Sequence, residues 1–141
     1  MHLLIKKLHP DAIIPKYALP GDAGMDLYAV ETVVLAPNQK TIIPTGIAMA
    51  IPKGHVGLVW DKSGIASKHH LHTLAGVIDE NYRGEIRVVI GNFGDQPYTI
   101  EKGKKFAQLL IQPVVQPEMR EVDSLDETNR GAGGFGSTGL N

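Results

Sequence analysis

"KTIIPTGIAMAIPKGHVGLVW", residues 40–60, decides the fold class. Two short runs rich in Ile and Val, 40–52 and 55–60, are bounded by Pro and Gly and separated by only Lys53 and Gly54. Such runs suit a pleated, half-buried surface, and their punctuation suits turns. Outward from this pair the pattern repeats. "ETVVLAP" (31–37), "GEIRVVIGNFG" (84–94) and "KKFAQLLIQPVV" (104–115) are short and similarly bounded. A spacing of roughly ten residues between runs is the rhythm of an antiparallel sandwich or barrel. Nine prolines and sixteen glycines supply the turns and leave little room for a long helix. The exception is "SGIASKHHLH" (63–72), which predicts a short surface helix from Ile65 onward.

Bulk properties narrow the function. The 141 residues fit one domain, and the 43% hydrophobic and 21% charged fractions are those of an ordinary globular chain. A formal net charge of -1 argues against holding nucleic acid by bulk electrostatics, although lysines could still gather around a small polyanion. The absence of cysteine excludes disulfides, thiolate metal sites and cysteine nucleophiles. The apolar run at the start is too short for a signal peptide, and no stretch approaches membrane-spanning length. The expected setting is cytoplasmic, with no membrane partner.

Five stretches carry candidate chemistry. "GVIDENYRGEI" (76–86) sets an aspartate, an aromatic and an arginine around a turn between apolar runs, which predicts a β-hairpin. Asp79, after Val77 and Ile78, is expected at the end of a buried strand, partly desolvated, where it suits a general base that deprotonates water. An Asx-type turn residue explains the same letters. "DKSGIASK" (61–68) offers Ser63 and Gly64 where a strand feeds a helix, with Lys62 adding charge for an anion; a helix-capping serine is the bland alternative. Asp26 in "AGMDLYA" (23–29) needs a partner if buried, and none if it faces out from an edge strand. Gln108 is a polar residue inside the apolar run Phe106 to Ile111, and by alternation it can simply face solvent. His69, His70 and His72 invite zinc, yet no further ligand stands at a familiar spacing, so a solvated helix face is the better reading.

The segment "QPEMREVDSLDETN" (116–129) loses the apolar pattern and gains acids. After it comes "RGAGGFGSTG" (130–139), five of whose residues are glycine, with Arg130 at the front and Phe135 in the middle. This is either a frayed tail or an arm that becomes ordered over something.

In this order, "AGMDLYA", "DKSGIAS", "GVIDENYRGEI", "KGKKFAQLL" and "RGAGGFGSTG" resemble the five ordered motifs of the trimeric dUTP pyrophosphatase (dUTPase) family. The resemblance runs from about Ala23 to Gly139. It implies an all-β, jelly-roll-like sandwich or barrel of the dUTPase-like β-clip kind, with one short helix, a core over residues 1–116 and a flexible C-terminal arm over 117–141. It also implies a homotrimer with active sites between subunits and Mg²⁺-dependent hydrolysis of dUTP to dUMP and pyrophosphate. That reaction limits uracil incorporation into DNA and supplies dUMP for dTMP synthesis.

Roles follow residue by residue from the resemblance. Asp79 orients the attacking water, and Tyr82 underlies the deoxyribose. Backbone around Gly76 and Ile78 reads the uracil edge. Lys62, Ser63 and Gly64 bind the phosphate chain, with Gln108 beside the phosphates and the catalytic water. Asp26 reaches Mg²⁺ through water, while the triphosphate holds most of the ion. Arg130 pairs with the γ-phosphate, Phe135 stacks on uracil, and Gly136, Ser137 and Thr138 add donors. Three departures stand out: Lys62 where arginine is usual, Asn81 where an acid is common, and Lys104-Lys105 where an acid–base pair is frequent. Two other classes stay open: a deaminase of the same fold acting on dCTP, and a non-catalytic nucleotide sensor.

Overall fold

A computed structural model describes residues 1–135 of the chain. Its ten strands are β1 (Leu4–Lys7), β2 (Met25–Tyr28), β3 (Val33–Leu35), β4 (Lys40–Ala50), β5 (His55–Asp61), β6 (Leu71–Leu74), β7 (Val77–Ile78), β8 (Glu85–Asn92), β9 (Tyr98–Ile100) and β10 (Lys105–Pro113). One helix, α1 (Ser63–His69), interrupts them. The strands form two four-stranded sheets, ordered β1-β4-β8-β6 and β2-β10-β5-β7, and a small β3-β9 ribbon. Every pairing is antiparallel. The arrangement is a sandwich rather than a closed barrel.

Alternation builds the core. On β8, Ile86, Val88 and Ile90 are buried while Arg87 is exposed between them. From the other sheet, Leu27, Val59, Ala107 and Leu109 join the same cluster as Ile43, Ile47 and Met49 of β4. Burying one face of each sheet against the other is what fixes strand register, because a one-residue slip would turn every such side chain outward.

Two local features place the functional residues. The chain passes from β6 in one sheet to β7 in the other through only Ala75 and Gly76, both at positive φ (62° and 99°). Gly76 has no alternative there: a Cβ would stand 2.8 Å from the Val59 carbonyl oxygen, while Gly76 O accepts the Val59 N–H at 2.8 Å. Ala75 holds the same left-handed backbone with a side chain, which is uncommon and costs energy. The second feature is α1. Its N-cap is Lys62, which makes no side-chain cap, so Ser63 is the first helical residue and not the capping serine. His70, at φ 55°, ends the helix with its N–H on the Ala66 carbonyl, and β6 begins one residue later.

The hairpin expected over 76–86 is not formed. β7 pairs with β5 and β8 pairs with β4 and β6, so this segment bridges the sheets instead of folding back on itself. Nor is β7 buried: it is a two-residue edge strand, and Val77 is exposed.

Candidate active site

Asp79, Tyr82, Gly76 and Ile78 line one cleft of about 300 Å³ between the sheets. Its apolar wall includes Val59, Leu74, Ile86 and Val88. The Tyr82 hydroxyl donates to the Glu85 carbonyl at 3.0 Å, which fixes the ring. Gly84 makes room for it, since a Cβ there would lie 2.3 Å from the hydroxyl oxygen. The Gly76 N–H has no acceptor among the described residues, so it is available to a ligand in the cleft. Asp79 is exposed rather than desolvated, and no side-chain or backbone donor among the described residues meets its carboxylate. The exposure follows from β7 being an edge with a single two-residue pairing.

A second cluster lies elsewhere on the subunit. Asp26, on β2, is 4% exposed. Its Oδ1 takes the Lys62 ammonium and its Oδ2 the Lys105 ammonium, the latter at 3.2 Å. Burial opposes the charge on Asp26, but hydrogen bonds from Lys62 and Lys105 outweigh it and hold the carboxyl below its usual value. Two of the three lysines that depart from the family pattern, Lys62 and Lys105, thus share one buried acid. Beside them Gln108, half-buried and opposite Asp26 in the β10–β2 register, donates Nε2 to the Asp61 carbonyl at 2.8 Å. Gly24 permits this packing, because a Cβ there would meet Gln108 Oε1 at 2.5 Å. Lys62, Lys104 and Lys105 also line an adjoining groove of about 440 Å³ with Tyr98 and Phe106.

The two clusters do not meet within one chain. The register sets Ile78 opposite Gly57, and Glu80 accepts the Gly54 N–H, so Asp79 lies beside the start of β5. Lys62 follows its far end. Six residues of strand separate the two places, about 20 Å.

From Val114 to Ala132 the chain runs exposed. Val115, Met119 and Leu125 are each at least 85% exposed, as is Phe135 at φ 51°, and Arg130 is exposed as well. Gly136, Ser137 and Thr138 lie outside the described residues.

Sequence reasoning did not find the pairing of Asp61 with His72, nor that of Lys105 with Asp26. His72 lies on β6 and not on the expected helix face; it is exposed, with Nδ1 2.6 Å from Asp61 Oδ2, while His69, on α1, lies tilted against Tyr98 with ring centroids 4.5 Å apart. Among the described residues no cluster of His, Cys, Asp or Glu is set to hold a metal ion. No helix among them is long and apolar enough to cross a membrane.

The chain is thus an antiparallel β-sandwich with an apolar cleft at its seam and a lysine-bearing turn at the end of β5. The dUTPase family model matches residues 10–139. The chain is 46% identical over 141 residues to the deoxyuridine 5'-triphosphate nucleotidohydrolase of Clostridium kluyveri, covering 99% of both chains. It is 48% identical to that of Syntrophotalea carbinolica, over 96% of this chain and 95% of the relative. A variant of the Staphylococcus bacteriophage 80alpha dUTPase bound to dUpNHpp superposes with a TM-score of 0.93 at 35% identity, covering 99% of both chains. A variant of the S. aureus phage phi11 dUTPase, described with a structural Mg(II) ion, superposes at 0.82 with 33% identity over 88% of this chain and 98% of its own. The chain belongs to the dUTPase family. The jelly-roll-like β-clip expected from the motifs is the fold it shares with these neighbours.

Proposed function

We propose that this protein hydrolyses dUTP to dUMP and pyrophosphate by attack of water on the α-phosphate, in the cytoplasm, as a homotrimer. The observation that carries the mechanism is the separation of the two clusters. Asp79, which would aim the water, and the phosphate turn with Ser63 and Gly64 stand about 20 Å apart on one subunit, too far for both to meet the same α-phosphate. They can when the cleft of one subunit faces the turn of another, which a closed cyclic assembly repeats three times. The arm, residues 117–141 beyond the 1–116 core, then supplies Arg130 and Phe135 to a neighbour.

In this reading uracil enters the cleft, where the Gly76 N–H and the backbone at Ile78 pair with its polar edge. Cytosine leaves those groups unpaired and is rejected. The Tyr82 ring, fixed by Glu85, underlies the deoxyribose and leaves no room for a 2′-hydroxyl. Asp79, free of competing donors, accepts the proton of the attacking water. Lys62, Ser63 and Gly64 hold phosphate oxygens, and Gln108 orients the water. From the arm, Arg130 pairs with the γ-phosphate, Phe135 covers the base, and Gly136, Ser137 and Thr138 donate to the phosphates.

The residues present fit a Mg²⁺ ion that arrives with its substrate: there is no protein cage among the described residues, and the triphosphate supplies oxygen ligands. Asp26 has both carboxylate oxygens on lysines, so it would reach such an ion only through water. When bound, the ion would neutralise phosphate charge as it develops.

Pyrophosphate release from dUTP, dCTP, dTTP and UTP, each with and without Mg²⁺, tests the proposal. Selective, Mg²⁺-dependent release from dUTP is expected. Ammonia from dCTP would indicate the deaminase, and no release from any nucleotide a sensor.

A further inference from the structure

Asp61 closes β5 immediately before the Lys62–Ser63–Gly64 turn, and its carboxylate has no part in the chemistry above. Its Oδ1 accepts the Thr73 N–H at 2.6 Å, and its Oδ2 lies 2.6 Å from His72 Nδ1. Both partners belong to β6. Yet β5 and β6 sit in different sheets and share no strand pairing. The Asp61 carboxylate is therefore a stitch between sheets across the base of the loop that carries α1. At its other face the same residue presents the carbonyl that accepts Gln108 Nε2 at 2.8 Å. Burial opposes ionisation of Asp61, but the donors from His72 and Thr73 outweigh it and lower its pKa, so at neutral pH both oxygens are acceptors.

We propose that Asp61 is a positioning residue: its carboxylate fixes the peptide whose carbonyl aims Gln108, and the turn that presents Ser63 and Gly64. This rests on reading Gln108 and the turn as the phosphate side of a dUTP-hydrolysing site. The terminal torsion of a glutamine is broad and soft, so an unanchored carboxamide samples many orientations. Donation from Nε2 to Asp61 O selects one, with Oε1 seated against Gly24. The anchor is only as rigid as the end of β5, which β10 holds on one edge through the Ala107–Asp61 pairing, while on the other edge β7 pairs no further than Gly57 and Leu58. The Asp61 stitch supplies the missing restraint. Displacement of a catalytic group by about 1 Å costs up to a hundredfold in rate, so the restraint bears on turnover.

The test is a double-mutant cycle on the full-length enzyme, using Asp61→Ala, Gln108→Ala and the double variant. Steady-state kcat and KM for dUTP are measured with the Tm of each protein. Asp61→Ala is expected to lower kcat/KM about tenfold, and less than about threefold when Gln108 is already alanine, since residues acting as a unit are not additive. Asp61→Asn keeps an oxygen for the Thr73 N–H and is expected to retain most of the activity. Should Asp61→Ala fail to fold, His72→Ala removes one end of the stitch, and its smaller loss is likewise expected to vanish beside Gln108→Ala. An Asp61→Ala penalty of equal size in both backgrounds overturns the proposal, as does a lowered Tm with kcat/KM unchanged. Full activity in Gln108→Ala alone would instead sink the site reading, and is seen before Asp61 is touched.

Discussion

Two aspartates divide this molecule. Asp26 is buried, and each of its oxygens carries an ammonium group. Asp79 is exposed on an edge and has no donor on its carboxylate among the described residues. A carboxylate locked between two cations is a poor base, because taking a proton means giving up both pairings. One facing open space has no such cost, and can be completed by whatever packs over it. On the proposed mechanism the buried acid organises a surface and the bare one does the chemistry, an assignment that burial alone would not have made.

The contrast is strongest where the unpaired acid is altered. Asp79→Asn should lower kcat for dUTP by at least about a hundredfold, the scale of lost general-base help, with nucleotide binding and Tm unchanged. A full rate in that variant would end the distinction.

At Asp26 the loss should appear in folding. Asp26→Ala leaves Lys62 and Lys105 facing each other without their acid, and should lower unfolding free energy by about 2 kcal/mol, less than for a fully buried pair because both lysines reach solvent. Denaturant melts read this directly, and an unchanged midpoint would show that the ion pairs contribute nothing.

Whether the Asp79 cleft and the Ser63 turn beside Asp26 serve one nucleotide from different chains is answered by mixing. Asp79→Asn and Ser63→Ala subunits, each inactive alone, should regain activity when refolded together, because about a quarter of sites between subunits would then be intact. No recovery would place both groups in one chain.

The arm belongs to the same comparison, since residues 117–132 of it are all exposed. Phe135→Ala should cut kcat/KM about tenfold, in the range of one lost base–aromatic stack, without lowering Tm. A fall in Tm would make the arm a structural element.

The smallest effect is acid sensitivity. Asp26 and Asp61 both have lowered pKa values in the fold, so their stabilisation is present above the unfolded carboxyl value near 3.9 and is lost as pH falls through the folded values. Tm should therefore drop below about pH 4, and Asp26→Asn should flatten that decline.

Much of this was legible in the sequence where a pattern had room to repeat. The runs at 31–37, 40–52, 55–60, 84–94 and 104–115 became β3, β4, β5, β8 and β10. β9 is three residues long and β6 four, too short for alternation to register, and β6 lay concealed in the histidine run. The expected hairpin failed for a different reason: its letters specify a turn, but which strand β7 pairs with is decided by sheet packing. Likewise Asp26 announced a need for partners without naming them. Lys62 is 36 residues away and Lys105 is 79, distances at which no local spacing rule operates. The motifs placed Asp79 and Tyr82 in the cleft, yet its exposure was hidden because an edge strand and an inner one share the same apolar letters.

The two-residue crossing at Ala75 and Gly76 makes the cleft the line along which the halves of the sandwich join. Whatever fills that line is gripped by both sheets at once and acts like a key in a split block. Occupancy there is mechanical as well as chemical: a bound base would add a contact with both sheets to the packed core, the β4–β5 turn and the Asp61 stitch that already join them.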